Sequence, residues 1–369
     1  MFKGRSICVV TPSFDPGGAE RVAVNLANYY LDEGMKVKLV AFKETGPYRS
    51  QVSGGVEIID LGLSSSRWGF FKLHRTLKDQ KPDLLLSVLR KTNTLAGLTS
   101  YFVDIPTMIF CEATTLDAMN NRSYLSRFLD VNLMRLTYRQ ADRVITGSND
   151  TRDHLMEYRI VEQNKIAVLG NPVLPRNINK LFSETVPHPW LSDRSFRTIL
   201  SVGRLHRLKN HRMLIAAFAE VKERVDNARL VILGEGREKL SLMEFARSKK
   251  VEDFIDFPGF QDNPYPFYHN ADVFVLTSNW EGFGNVLVEA MACRVPVIST
   301  NCPGGPGEIL DGGRYGSLVE MDDVAGLRDV IIHVLTYPDQ QKLEEARNRA
   351  MEYTIENIAP RYIEGLLPW

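Results

Sequence analysis

The chain has 369 residues, too many for one domain of the usual roughly 100–200, so two domains are the natural expectation. Hydrophobic residues make up 44% and charged residues 24%, an ordinary soluble globular profile, and no run approaches the ~18 apolar residues of a membrane-spanning helix. Net charge is zero, from 45 basic and 45 acidic side chains, but residues 1–180 carry 24 basic against 18 acidic and the remainder 21 against 27. Such a split either turns one half toward an anionic partner or reflects two domains that titrate differently.

The N-terminal MFKGRSICVVTPSF holds a short β-like run and a turn, without the longer apolar stretch and cleavage site of a secretory signal. A strand is expected at 6–11, a Pro/Gly loop, a helix at 19–32 and a second strand at 37–42. Short apolar runs recur at 84–89, 107–110 and 143–146. Residues 171–193, rich in Pro and Asn, read as a linker. The pattern then restarts with strands at 198–202, 229–233, 255–257, 273–277 and 295–299, and helices at 211–225 and 239–249. Residues 343–369 read as amphipathic helix that folds back across the first domain. Alternating apolar runs and helical patterns argue for two parallel α/β sheets, whose ligands sit outside the carboxyl ends of the strands, in a cleft between the domains. Cys8, Cys111, Cys293 and Cys302 are scattered with no C-x-x-C pair, which suggests neither zinc nor redox chemistry and fits a reduced, cytoplasmic setting.

Four stretches carry chemistry. DPGGAE (15–20) puts Gly17 and Gly18 between a strand and a helix, where backbone N–H groups either meet an anion or merely turn the chain. VGRLHRLKNH (202–211) places Arg204 and Lys209 after a strand, cations suited to a diphosphate if they are not simply solvated. SNWEGFGNVLVEAMAC (278–293) carries Glu281, Gly282, Phe283 and Gly284 in a loop, Asn285 as a plausible helix cap, and Glu289 in the first turns. Glutamates eight apart in such a loop accept well from sugar hydroxyls. STNCPGGPGEIL (299–310) is a rigid Gly/Pro loop that makes an anion-friendly concavity, with Glu308 opening a helix.

Together these stretches resemble glycosyltransferase family 4 of the GT-B superfamily, over nearly the whole chain, and within it the bacterial enzymes of lipopolysaccharide, O-antigen, capsule or lipid-linked glycan synthesis. The resemblance implies two Rossmann-like domains. Residues 1–180 would bind the acceptor, residues 190–350 the nucleotide sugar, and a C-terminal helix at about 350–369 would pack back on the first. It implies transfer of a hexose or N-acetylhexosamine with retention, from a UDP-sugar in preference to a GDP-sugar, without metal or other cofactor. Arg204 and Lys209 would hold the donor diphosphate, Glu289 the ribose and Glu281 the donor sugar. The backbone of Gly282, Phe283, Gly284 and Asn285 would meet the donor, with Gly17 and Gly18 near the phosphate. No D-x-D triplet stands at a strand end. One departure is CEATTLD: Ala113 stands where many family members have a polar residue that contacts the donor sugar, leaving Glu112 and Thr114 as candidates for that role.

The acceptor would be a glycan or a lipid-linked glycan such as one on undecaprenyl diphosphate; no nucleic-acid partner is expected. Residues 66–78 set Trp68, Phe70, Phe71, Leu73 and Leu77 beside Arg67, Lys72, Arg75 and Lys78, and residues 122–143 set five arginines among Tyr124, Phe128, Leu129, Leu133 and Leu136. These are ordinary sheet-covering helices or basic amphipathic helices at the inner face of an anionic membrane. Two alternatives share the architecture: a sugar-nucleotide epimerase, for which no acid/base cluster is seen, and a non-catalytic nucleotide-sugar-binding subunit. An oxidoreductase lacks its G-x-G-x-x-G.

Overall fold

The computed structural model describes residues 3–63, 69–113, 124–186 and 188–366. Ser66, Arg67, Trp68, Thr114 and Arg122, all singled out above, lie outside them. The chain forms two compact units: residues up to Pro172 together with those from Ile355 on, and Val173–Thr354.

The first unit is built on seven strands: β1 (Ser6–Thr11), β2 (Lys36–Ala41), β3 (Glu57–Asp60), β4 (Leu84–Val88), β5 (Thr107–Glu112), β6 (Arg143–Thr146) and β7 (Ile166–Val168). They pair in parallel in the order β3-β2-β1-β4-β5-β6-β7. Helices on both faces explain the near-continuous apolar runs of β1, β4 and β5, whose side chains are almost all buried. The order reverses between β1 and β4, so the carboxyl ends of those two strands open side by side, the usual place for a ligand in such a sheet.

The second unit repeats the plan with β8 (Arg197–Val202), β9 (Ala228–Leu233), β10 (Ile255–Gly259), β11 (Val273–Leu276), β12 (Val297–Thr300) and β13 (Ser317–Val319), parallel in the order β10-β9-β8-β11-β12-β13. Its reversal falls between β8 and β11.

Three strands have no counterpart in the sequence pattern: β3, β7 and β13. All three are sheet edges, only three or four residues long and mostly half-exposed, so they carry no continuous apolar run. The linker expected at 171–193 is also corrected. Its helices Ile178–Phe182 and Pro189–Ser192 bury Ile178 and Leu191 in the second unit. Phe182 stacks on His269, and His188 Nε2 lies 3.0 Å from Asp256 Oδ2. The C-terminal segment is two helices, not one. Gln340–Met351 belongs to the second unit; the chain then bridges Thr354 to Leu174, and Ile355–Ile363 lies in the first unit. There Tyr30 Oη donates to the Ala359 carbonyl at 2.9 Å and Arg143 Nη1 to that of Arg361 at 3.0 Å. Among the described residues no helix is long and apolar enough to cross a membrane.

Candidate functional site

The carboxyl ends of β8 and β11 carry two of the four motifs. Beyond Val202 the chain passes exposed Arg204 and buried Leu205 into the 3-10 turn Arg207–Lys209. Asn210 follows in the left-handed region (φ 44°, ψ 42°), a conformation Asn tolerates, and its side chain accepts from the Met213 N–H at 3.4 Å to cap the helix His211–Lys222. Asn210 Nδ2 also donates to Asn279 Oδ1 (3.0 Å) and Asp322 Oδ1 (3.2 Å), while Thr277 Oγ1 donates to the Lys209 and Asn210 carbonyls (3.0 and 3.1 Å). The turn that presents Lys209 is therefore tied to the loops after β11 and β13. Its approach to β9 is equally close: a Cβ on Gly234 (φ 132°) would stand 2.0 Å from the Gly203 carbonyl oxygen.

Lys209 Nζ pairs with Glu281 Oε1 at 2.5 Å, and Ser278 Oγ donates to the same oxygen at 2.6 Å. Both partners are largely buried, with side chains 20% and 10% exposed. The structure thus brings together two residues 72 positions apart that the motifs singled out separately. The Arg204 carbonyl accepts from the His206 N–H at 2.8 Å, while its guanidinium makes no hydrogen bond or ion pair among the described residues. Burial first, then the charges of Arg237 and Arg204, hold the His206 imidazole below its ordinary pKa, so this edge of the site is cationic through arginine and lysine.

The loop bearing Glu281 rests on the Gly/Pro loop after β12. The Glu281 N–H donates to the Pro303 carbonyl (3.2 Å), and Cβ atoms on Gly304 and Gly305 would lie 1.8 and 1.9 Å from the Glu281 and Phe283 carbonyl oxygens. These glycines serve close backbone contact that no side chain permits. Phe283 is buried edge-on against Tyr353, with centroids 5.1 Å apart, which anchors the loop. The helix that follows is Asn285–Ala292, and Asn285 is its first residue, not its cap. Gly284 (φ 107°, ψ 48°) takes the cap position because that left-handed geometry suits glycine, so the cap residue offers no side-chain acceptor of its own. Glu289 is buried in this helix and accepts from Tyr268 Oη at 3.0 Å, so a ribose hydroxyl would join a carboxylate already engaged.

His211, beside Lys209, is fully buried. Burial first, and Lys209 second, push its pKa down to about 3. The unfolded chain takes up a proton near its ordinary value of about 6.5 and the folded chain does not. Stability from this residue is therefore intact above that pH and falls by about 1.4 kcal/mol per unit as pH drops toward 3. His211→Leu is expected to flatten the acid limb of a Tm-against-pH profile between about pH 6.5 and 4; an unchanged limb would remove His211 as its source.

In the first unit the helix Gly18–Asp32 starts at Gly17 with no side-chain cap. The Glu20 carboxylate reaches back over Gly17, 2.0 Å from where a Cβ would stand, and Gly18 is exposed. Glu112 ends β5, buried, with Arg90 Nη2 3.5 Å from one oxygen and Tyr138 Oη 2.5 Å from the other. It lines a pocket with Ala19, Val22, Ala113, Gly147 and Asn171. Sequence reasoning missed Arg90, Tyr138, Tyr268 and Thr277, which meet their partners only through the fold. It passed over Asn210 despite a legible signal, an Asn directly before a helix.

Residues 183–356 match the family model described as glycosyl transferases group 1, and residues 16–175 that of glycosyltransferase family 4. The chain is 31% identical over 281 residues, 76% of this chain and 74% of the relative, to the Campylobacter jejuni N-acetylgalactosamine-N,N'-diacetylbacillosaminyl-diphospho-undecaprenol 4-alpha-N-acetylgalactosaminyltransferase. It is 26% identical, over 97% of both chains, to a second C. jejuni protein, the GalNAc-alpha-(1->4)-GalNAc-alpha-(1->3)-diNAcBac-PP-undecaprenol alpha-1,4-N-acetyl-D-galactosaminyltransferase. Among solved structures, Anabaena HepE in complex with UDP and glucose superposes with a TM-score of 0.80 at 22% identity, covering 98% of each chain, a likeness of fold.

Proposed function

Because this chain belongs to the group 1 glycosyl transferases, and is thus an enzyme that transfers a sugar, we propose that its donor is a UDP-sugar bound on the second unit. The observation that carries this reading is the cationic mouth at the reversal of that sheet. The Arg204 guanidinium stands unpaired there, Lys209 is held by a tied turn, and the N-terminus of Asn285–Ala292 adds partial positive charge. That set suits a diphosphate without a metal ion. Arg204 forks onto it, Lys209 leaves Glu281 to meet it, and Glu281 turns to the sugar hydroxyls. Glu289 takes the ribose, and the backbone of Gly282, Phe283, Gly284 and Asn285 the remaining donor oxygens. On the first unit, Glu112, Gly17 and Gly18 serve the acceptor.

The transferred group is a hexose or N-acetylhexosamine, and the anomeric configuration is retained. The acceptor hydroxyl attacks on the face from which the diphosphate departs, and the leaving β-phosphate oxygen takes its proton. Both C. jejuni relatives are named for undecaprenol-diphosphate-linked substrates. A lipid-linked glycan of a bacterial surface polysaccharide is accordingly the acceptor, met at the inner face of an anionic membrane. HepE, solved with UDP, supports the choice of base.

Thermal shift against UDP-, GDP-, ADP- and CMP-sugars, with and without EDTA, tests the reading. Saturating UDP-sugar is expected to stabilise the fold by about 2.7 kcal/mol at 100-fold over Kd, with EDTA making no difference. A shift with another nucleotide class alone would overturn the UDP assignment, and an EDTA-sensitive shift the metal-free one.

A further inference from the structure

The helix Tyr124–Tyr138 has two apolar faces. One is what any helix covering a sheet requires: Val131, Met134 and Tyr138, at i, i+3 and i+7, are buried in the core of the first unit. The other faces water. Leu125, Phe128, Leu129, Leu133 and Leu136, at i, i+3, i+4, i+8 and i+11, are 66, 54, 58, 38 and 46% exposed. With successive residues turned by about 100°, these five share one side of the helix and the buried three lie on the opposite side. A contiguous exposed stripe of this kind marks a contact surface.

Neighbouring elements extend it. Tyr101 Oη donates to the Leu136 carbonyl at 3.0 Å, and the next residue, Phe102, is 69% exposed with its ring edge-on to Phe70 at 5.8 Å. On the helix Gly69–Gln80, exposed Phe71 shares a face with Arg75 and Lys78 at i, i+4 and i+7. Lys72, Arg75, Lys78 and Lys81 outnumber the one acid of that stretch, Asp79. An apolar stripe bordered by cations complements an anionic lipid surface. A second copy of the chain would bring the same cations against one another.

We propose that this face docks flat on an anionic bilayer, with the five-residue stripe of Tyr124–Tyr138 at the headgroup–acyl boundary and Arg75 and Lys78 among the lipid phosphates; the Lys72 ammonium stays on the Leu61 and Gly62 carbonyls. The proposal deepens the reading of a membrane-borne acceptor and rests on it, but its test is separate. Full-length protein is floated with phosphatidylcholine vesicles with and without phosphatidylglycerol. Binding is expected to the anionic vesicles, to weaken in about 0.5 M salt as charge is screened, and to fall at least about tenfold in Leu129→Asp/Leu133→Asp. That variant is expected to keep the wild-type melting temperature and donor-induced thermal shift, which separates lost docking from lost fold. Arg75→Glu/Lys78→Glu should lose the anionic preference. No wild-type binding to anionic vesicles overturns the proposal, as does a concentration-dependent dimer in sedimentation that Leu129→Asp/Leu133→Asp abolishes. Vesicle binding without any donor shift keeps the docking face and sinks the donor reading instead.

Discussion

Lys209→Ala is expected to lower kcat by about 10²–10³, the usual loss when a group that stabilises developing negative charge is removed. The 3-10 turn that carries Lys209 is held by backbone and by Asn210 and Thr277, none of which depends on the ammonium group. The variant should therefore fold as the parent does. Removing the ammonium leaves the largely buried Glu281 carboxylate with the Ser278 hydroxyl as its remaining donor here, at an expected stability cost of about 1–3 kcal/mol, so kcat is compared well below the variant's melting transition. KM for the donor should change less than kcat if the charge acts mainly on the departing diphosphate. Lys209→Arg keeps the charge but not the compact geometry, and an intermediate rate is expected. Full kcat in Lys209→Ala under steady-state assay of UDP release would remove Lys209 from the chemistry.

What the sequence made legible follows from which features are local. Strands buried on both faces, such as β4 with Leu84, Leu85 and Leu86, announce themselves as apolar runs. The edge strands β3, β7 and β13 do not, since half of each meets solvent and pairing on one side suffices to hold it. The loops after β8 and β11 are legible because they concentrate glycine and charge directly after an apolar strand. Their meaning was not fully visible: Gly304 and Gly305, read as lining an anion cradle, support the Glu281 loop from beneath. Partners across the fold had no local signature. Nothing near Glu289 points to Tyr268, 21 positions away, and nothing near Glu112 points to Tyr138, 26 positions away.

Arg90→Met is expected to destabilise the first unit strongly. Glu112 has a fully buried carboxylate, and Arg90 is the cation beside it, itself only 18% exposed. Removing one partner of such a pair leaves the other charge in low dielectric, at a cost of about 3–5 kcal/mol. The backbone shows how firmly Arg90 is placed. Leu89, which precedes it, sits at φ 73°, ψ 143°, a region that side-chain-bearing residues avoid, at a strain of order 1–3 kcal/mol. That geometry persists because the Leu89 N–H and Asn93 Nδ2 both donate to the Cys111 carbonyl, each at 3.0 Å. Asn93 Nδ2 also donates to Tyr138 Oη at 3.1 Å, and burial, then the Glu112 charge, hold the Tyr138 phenol well above its ordinary pKa, so it remains a donor to Glu112 at working pH. Tyr138→Phe should accordingly cost less, about 1–3 kcal/mol, since it removes a hydrogen bond and leaves the ion pair. The double variant Arg90→Met/Glu112→Leu should recover most of what Arg90→Met loses, because an apolar pair leaves no buried charge behind. Urea unfolding of the three variants reads the comparison directly. A single-variant cost below about 1 kcal/mol would mean that water reaches Glu112 freely, whereas a double variant as unstable as Arg90→Met would mean that the pair holds the turn at Leu89 in place.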